Sequence, residues 1–271
     1  MSFSVLVFEE MRLPLELLSA TLILLLPYAP RKSKFLSRVI SCYIGMTLFS
    51  LIYFVIFGTD KGHPRFRLLI LFWYLLIFLF APLFASICFE LTTSDALIIG
   101  TLAFPLQNIV YCFFHVWICQ LVFPYIREHL YIYIPATAII CSELFYLAYR
   151  LFSPILKESE PPLQEDTKKS KVTNSVLYVI FVFFLIYYQA ILNRGPAFMN
   201  HISWISGVLA CVLILGFQYN FINALVYAGK TKNMEQMLKN NEHYYLLSKE
   251  HIAIINRKCH DLKHQLKVLR T

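Results

Sequence analysis

Charged residues are scarce in this sequence: Lys, Arg, Asp and Glu make up only 15% of its 271 residues. Soluble domains usually contain about 25% charged residues and roughly 45–50% apolar ones, whereas this chain is 58% hydrophobic. The deficit argues against an ordinary water-soluble globule, and 24 Phe and 17 Tyr residues argue against a disordered chain. The composition predicts an all-α protein whose helices cross a membrane several times.

Paired cysteine motifs and the basic n-region of a cleaved signal peptide are also lacking. None of the seven cysteines belongs to a C-x-x-C pair, and most lie in apolar runs, where a thiol behaves as a small hydrophobic group. We therefore expect neither a disulfide framework nor a metal site. The N-terminus has no basic segment before its first long apolar run, but Glu9 and Glu10 instead.

Seven apolar runs approach the length of about 20 residues that a membrane-crossing helix needs. They are Leu13–Tyr28, Val39–Phe57, Leu68–Phe89, Ala96–Phe123, Leu130–Leu151, Asn174–Leu192 and Ile202–Ala228. The first run is the shortest, and Glu16 lies inside it. We predict a transmembrane helical bundle of about seven spans within residues 1–228.

Lys and Arg residues concentrate between spans one and two, between spans five and six, and after span seven. Basic loops usually stay in the cytoplasm, so we expect a multi-pass protein of the cell membrane with an external N-terminus and a cytoplasmic C-terminus. The basic group of Lys61, Arg65 and Arg67 departs from this rule. We attribute the net charge of +8 to cytoplasmic segments and predict no nucleic-acid binding.

Residues 229–271 form a second predicted domain, with nine basic and four acidic residues and no Pro or Gly from Thr231 onward. This composition predicts one long helix. Its apolar residues recur at alternating steps of three and four, at Ile252, Ile255, Cys259, Leu262, Leu266 and Leu269. Such a seam is typical of a coiled coil, so we predict a homodimer. The alternative is packing on the chain itself or on the membrane surface.

Two histidines lie just off this seam, His260 at heptad position b and His264 at position f. Residues four apart can share a metal ion, but no third ligand stands nearby, and we predict none. An exposed imidazole followed by Asp261 suits phosphoryl acceptance instead. One ring nitrogen can attack phosphorus, while a carboxylate holds the other N–H and stabilises the developing positive charge.

The stretch INRKCHDLKHQLKVLR, Ile255–Arg270, resembles the phosphoacceptor box of GHKL-type sensor histidine kinases, with Agr-type peptide-pheromone receptors as the nearest subgroup. The order of membrane bundle and helix is similar along the whole chain, although only this stretch matches as a motif. The resemblance implies that His260 is the phosphorylated histidine and Asp261 its orienting acid. The family often has Asn-His where this sequence has His264-Gln265, so His264 is either an auxiliary residue or an ordinary surface one.

The resemblance further implies a two-component system, in which an external signal controls phosphorylation of His260 and transfer of the phosphoryl group to a response regulator. In that family an ATP-binding domain follows the helix. The 271 residues of this sequence contain neither that domain nor a G-x-x-x-x-G-K-[ST] loop. We expect ATP and Mg to bind to a domain supplied in cis or in trans, with the chain being a fragment or a truncated product. Whether it is an enzyme by itself stays open.

Polar residues inside the apolar runs are candidates for a signal pocket. Asn108 and His115 are seven residues apart on span four, beyond Pro105, and Glu143 lies near the middle of span five. The alternative is hydrogen bonding that only holds helices together. Trp117, Tyr125, Tyr131 and Tyr133 are predicted to form an interfacial belt. A transporter with a basic tail, or a scaffold that dimerises through the tail, remains an alternative function.

Overall fold

The computed structural model describes residues 3–57, 67–158 and 197–268, together with 172, 174–176 and 178–180. Nearly all of this part is helical, and its only strand-like feature is an isolated antiparallel bridge between Arg31 and Phe89. The prediction of an all-α chain is therefore confirmed.

The described part of the chain contains α-helices and one π-helical segment. In chain order they are α1 (Phe3–Leu25), α2 (Phe35–Phe57), α3 (Arg67–Cys88), α4 (Thr93–Val110), a π-helical segment π1 (Tyr111–Val122), α5 (Pro124–Glu128), α6 (Leu130–Glu158) and α7 (Ala197–Val268). Helix α4 begins with Thr92 as its N-cap, whose side chain accepts a hydrogen bond from the backbone N–H of Asp95.

Four stretches of the described residues are long and apolar enough to cross a membrane. They are Phe35–Ile56, Thr93–Cys119, Leu130–Lys157 and Ile205–His260. They overlap predicted spans two, four, five and seven, which is compatible with a membrane protein. Helix α3 contributes a shorter apolar helix over Leu75–Cys88, and most of predicted span six lies outside the described residues. Seven spans thus stay a prediction.

Helix α1 covers most of predicted span one but is not among these four, because four ionisable residues lie in it: Glu9, Glu10, Arg12 and Glu16. It is nevertheless largely buried, packing against α2, α3, α4 and α6. Helix α4 is buried along almost its whole length. The core of the membrane-type bundle therefore lies around α1 and α4, where ionisable side chains meet protein instead of lipid.

Helix α2 exposes an apolar stripe along one side. The residues recur every four positions and each is about half exposed or more: Leu36, Ile40, Ile44, Leu48 and Ile52. A continuous stripe of this kind is unusual on a protein surrounded by water. It is the surface expected of a helix that faces hydrocarbon.

The chain divides into two units, Met1–Asn223 and Ala224–Thr271. The described part of the second unit is helical, and its side chains from Tyr227 to His260 are all exposed. The seam residues Ile252, Ile255 and Leu262 are each more than half exposed. Pairing of this seam in a coiled coil stays a prediction.

Candidate functional site

Three ionisable residues of α1 share one face, because they are spaced by three and four positions. Arg12 lies between the other two: its Nη1 donates to Oε1 and Oε2 of Glu16 at 3.2 and 3.4 Å, and its Nη2 donates to Oε2 of Glu9 at 3.4 Å. Arg12 and Glu16 are buried, with side chains 3% and 5% exposed. One guanidinium thus holds two carboxylates inside the bundle.

The segment π1 brings an imidazole to this face of α1. His115, 1% exposed, places Nε2 at 2.8 Å from Oε1 of Glu16. A π-helix has wider i→i+5 turns; it occurs mostly as short pieces inside α-helices, frequently at functional sites. Its wider turns change the direction in which side chains after Tyr111 point, relative to the 3.6-residue period of α4.

Helix α6 closes the other side of the imidazole. The hydroxyl oxygen of Tyr133, a fully buried residue, lies 2.7 Å from Nδ1 of His115 and 2.8 Å from Oε1 of Glu9. Tyr133 is held between aromatic rings, with Phe8 of α1 at 5.2 Å edge-to-face and Phe114 at 6.4 Å. These packing contacts fix the hydroxyl in place.

Three further side chains complete the coordination of the two carboxylates. Nε2 of Gln107 donates to Oε2 of Glu16 at 3.0 Å, and the Cys141 thiol donates to Oε1 of the same residue at 3.8 Å. Nε of Arg127, from the short helix α5, donates to Oε1 of Glu9 at 2.9 Å. We call Glu9, Arg12, Glu16, His115 and Tyr133 the polar cluster.

The polar cluster offers two acids, a base and a phenol in hydrogen-bond contact, a set that can exchange protons. The Nε–H of Arg12 is buried and has no hydrogen-bond partner among the described residues. Within the same part of the chain, no group of three or more His, Cys, Asp and Glu side chains is arranged to hold a metal ion.

The three predicted pocket residues have different surroundings. His115 belongs to the polar cluster, whereas Asn108, also buried, donates to Sγ of Cys211 on α7 at 3.1 Å. Glu143 is exposed on α6, ten positions beyond Tyr133 and on another face of that helix. The seven-residue spacing does not place Asn108 and His115 together, since the helix changes from α to π between them.

Four members of the polar cluster were not predicted as site residues, for two different reasons. Tyr133 was expected in the interfacial belt, but it is fully buried against His115 and Glu9; Tyr125 and Tyr131 are exposed. Glu16 lies inside the first apolar run and suggested a weak span, whereas Glu9 and Arg12 precede that run. Their spacing of three and four residues was the available signal, because it allows ion pairs on one helix face.

The predicted phosphoacceptor lies in the second unit. His260 is exposed in α7, and the helix continues to Val268. Asp261 and His264 belong to the same helix, but their side chains lie outside the described part of the structure. Cys259, the preceding residue, is also exposed.

Comparisons with known protein families, with characterised proteins and with solved structures find no significant similarity to this chain.

Proposed function

We propose that this chain is the membrane sensor of a two-component system, with His260 as the residue that accepts a phosphoryl group. In this proposal an external signal acts on the membrane bundle and alters how the helix of the second unit presents His260 to an ATP-binding domain. A response regulator then takes the phosphoryl group from the imidazole. The observation that carries the proposal is the exposure of His260 on a long helix.

Exposure matters because two large partners must reach the same ring nitrogen in turn. An imidazole buried in a helix bundle could meet neither an ATP γ-phosphate nor a response regulator. His260 also lies beside the apolar seam instead of on it, so pairing of two chains through Ile252, Ile255 and Leu262 would leave the ring accessible. The exposed seam residues support the homodimer that this mechanism requires.

In the proposal, ATP and Mg bind to a separate ATP-binding domain, and this chain supplies the acceptor. Asp261 would hold the N–H of the imidazole opposite the attacking nitrogen and stabilise the positive charge that develops on the ring. His264, one turn further along α7, would either assist hydrolysis of the phosphoryl group or be an ordinary surface residue.

The test supplies what the proposal assigns to another domain. The full chain in lipid nanodiscs is mixed with a GHKL-type ATP-binding domain and ATP labelled at the γ-phosphate, and acid-labile label on the chain is measured. We expect label on the wild type and on His251→Gln, a matched control because His251 is also exposed on α7. Label should be lost in His260→Gln. Absence of label on the wild type, or equal label on His260→Gln, would contradict the proposal.

A transporter is the second candidate, and the polar cluster is the observation that favours it. Ionisable residues inside membrane bundles often mark a pathway for ions or protons. The two functions separate in a flux assay with the purified chain in sealed vesicles. A transporter would move its substrate or protons without any ATP-binding domain and independently of His260, whereas the sensor would show no such flux.

A further inference from the structure

Four side chains of the polar cluster form an unbranched chain of three short contacts. Oε1 of Glu16 lies 2.8 Å from Nε2 of His115, Nδ1 of His115 lies 2.7 Å from the hydroxyl oxygen of Tyr133, and that oxygen lies 2.8 Å from Oε1 of Glu9. Each distance is that of a hydrogen bond. Each bond needs one hydrogen between its two heavy atoms, so the chain needs three.

The side chains themselves supply only two hydrogens when both carboxylates are ionised. A neutral imidazole has one N–H, a phenol has one O–H, and a carboxylate has none. In that state two acceptor atoms would face each other at less than 3 Å. Buried polar atoms without a hydrogen-bond partner are costly, and lone pairs this close also repel each other.

We propose that Glu9, Tyr133, His115 and Glu16 form a binding site for one additional proton and relay that proton between the two carboxyl groups. In one form the proton is on Glu16, and the O–H of Glu16, the Nδ1–H of His115 and the O–H of Tyr133 point successively toward Glu9. In the opposite form the O–H of Glu9, the O–H of Tyr133 and the Nε2–H of His115 point toward Glu16. Between them lies the imidazolium with two ionised carboxylates.

These forms differ only in the position of one hydrogen within each of the three bonds. Shifting each hydrogen along its own bond converts the first form into the last, and no heavy atom has to move. The total stays at three hydrogens throughout, so the relay is balanced. Its two ends differ in access: the Glu9 side chain is 15% exposed and the Glu16 side chain 5%.

The surrounding charges are compatible with an added proton. Arg12 is buried and contacts both carboxylates, whereas Arg127 is 28% exposed and contacts Glu9 from the edge of the polar cluster. Glu9, Arg12 and Glu16 with their relay partners carry one net negative charge, which one more proton would cancel; without that proton, the charge is balanced by Arg127. Other titratable groups around the relay are Tyr111, whose ring centroid lies 5.4 Å from the Arg12 guanidinium carbon, Cys141, and Cys119, which is buried in one cluster with Tyr133.

Release of the proton would leave one of the three contacts without a hydrogen, and that contact must then lengthen. Because the contacts join α1, π1 and α6, the proton links the packing of three elements to proton availability. The inference does not depend on the proposed function, since the hydrogen count holds whether or not His260 is phosphorylated.

The experiment counts protons in the full chain in lipid nanodiscs at pH 8, where water-exposed imidazole and carboxyl groups, with ordinary pKa values of about 6.5 and 4.3, are deprotonated. Nitrogen NMR of ¹⁵N-histidine, with His115→Gln to assign the signal, reports whether both ring nitrogens of His115 carry hydrogen. Infrared absorption reports a protonated carboxyl group. In the wild type we expect one extra proton per chain, as a doubly protonated His115 or as one protonated buried carboxyl group.

Two variants remove the need for that proton in different ways. Tyr133→Phe leaves one of the three contacts, which the single N–H of a neutral imidazole satisfies. Glu9→Gln supplies the third hydrogen when its amide N–H faces Tyr133 and Arg127, which is 28% exposed and donates to the same position in the wild type, turns to solvent. Both should lose the extra proton, while Glu143→Gln, on an exposed face of α6, should keep it. If Tyr133→Phe does not fold, Glu9→Gln decides. A singly protonated His115 without a protonated carboxyl group in the wild type, or an extra proton retained in Glu9→Gln, would overturn the proposal.

Discussion

Arg12 is the residue on which the polar cluster depends. Its guanidinium contacts both Glu9 and Glu16 from the same helix and lies over the ring of Tyr111. The planar group with five N–H donors suits this position, because it can satisfy two carboxylates at once. A lysine would supply the charge but not the two-sided geometry.

Removal of Arg12 should therefore destabilise the fold strongly. Arg12→Met leaves Glu16 buried without its cation, and loss of one partner of a buried ion pair typically costs about 3–5 kcal/mol. We expect the free energy of unfolding, measured by denaturation in detergent micelles, to fall by about that amount. Arg150→Met is the matched control, because Arg150 is exposed on α6, and it should change the free energy by less than about 0.5 kcal/mol.

A compensating change distinguishes loss of the ion pair from loss of packing. In Arg12→Met with Glu16→Leu, no uncompensated charge remains at that pair, and replacing both members of a buried pair is often close to neutral. The double variant should be more stable than Arg12→Met alone. A double variant whose loss equals the sum of the single losses would show that Arg12 and Glu16 do not stabilise each other.

His115 is the one member of the polar cluster that the sequence predicts as a site residue. A histidine in an apolar run is conspicuous by itself, whereas Tyr133 could belong either to a membrane interface or to a buried hydrogen bond. That choice is made by the packing of Phe8 and Phe114 around the ring, which involves residues far apart in the chain. Glu143 is ionisable, as expected of a residue in a polar pocket, but it lies on an exposed face of its helix.

At the scale of elements, π1 decides which residues meet. The pairing expected for Asn108 and His115 assumed an α-helical period, and nothing in the residues Tyr111–Val122 marks the change to a wider helix. The preceding segment remains α-helical through Pro105. By contrast, the existence of α2, α4 and α6 follows directly from long apolar runs, because a run of that length has few alternatives to a helix.

Helix α4 packs closely against its neighbours at Gly100, and this contact gives a second prediction. A Cβ added there would lie 2.9 Å from Cε2 of Tyr178 and 3.3 Å from Cδ of Pro82, so Gly100→Ala forces the packing apart. We expect the free energy of unfolding to fall by about 1–3 kcal/mol, in line with other overpacked sites.

Gly45 of α2 is the matched control for that substitution. A Cβ at Gly45 would meet nothing within 4 Å, and alanine favours an α-helix over glycine by about 1 kcal/mol. Gly45→Ala should therefore raise stability or leave it unchanged in the same denaturation assay. Equal effects of the two substitutions would contradict the close packing at Gly100.

The seam of α7 gives a further prediction at this scale. Ile255 lies on the predicted seam and Ile254 beside it, and both are exposed in the single chain, at 59% and 46%. If the seam pairs two chains, Ile255→Lys buries a charge in the interface and shifts the full chain toward monomer. A cost of about 1.4 kcal/mol corresponds to a tenfold rise in the dissociation constant of the dimer, and we expect at least that rise. Ile254→Lys should leave the dimer intact. Light scattering of the detergent complex measures both, and equal behaviour would exclude the seam.

At the scale of the whole molecule, the predicted arrangement of the chain in the membrane rests on loop charges alone, and Cys259 allows it to be tested. Cys259 is exposed, whereas the other cysteines are buried or half-buried. A maleimide that cannot cross the membrane should therefore label the wild type only after permeabilisation of the cells, if the second unit is cytoplasmic. Cys259→Ser should abolish this labelling.

The N-terminus provides the complementary measurement. Ser4 is exposed at the start of α1, so Ser4→Cys, combined with Cys259→Ser, should react in intact cells if that end is external. The wild type, through Cys259, and this variant, through its new cysteine, should then report opposite sides of the bilayer. Labelling of Cys259 in intact cells would place the second unit outside, where neither ATP nor a cytoplasmic response regulator could reach His260. The proposed phosphorylation therefore requires that Cys259 be protected until the membrane is opened.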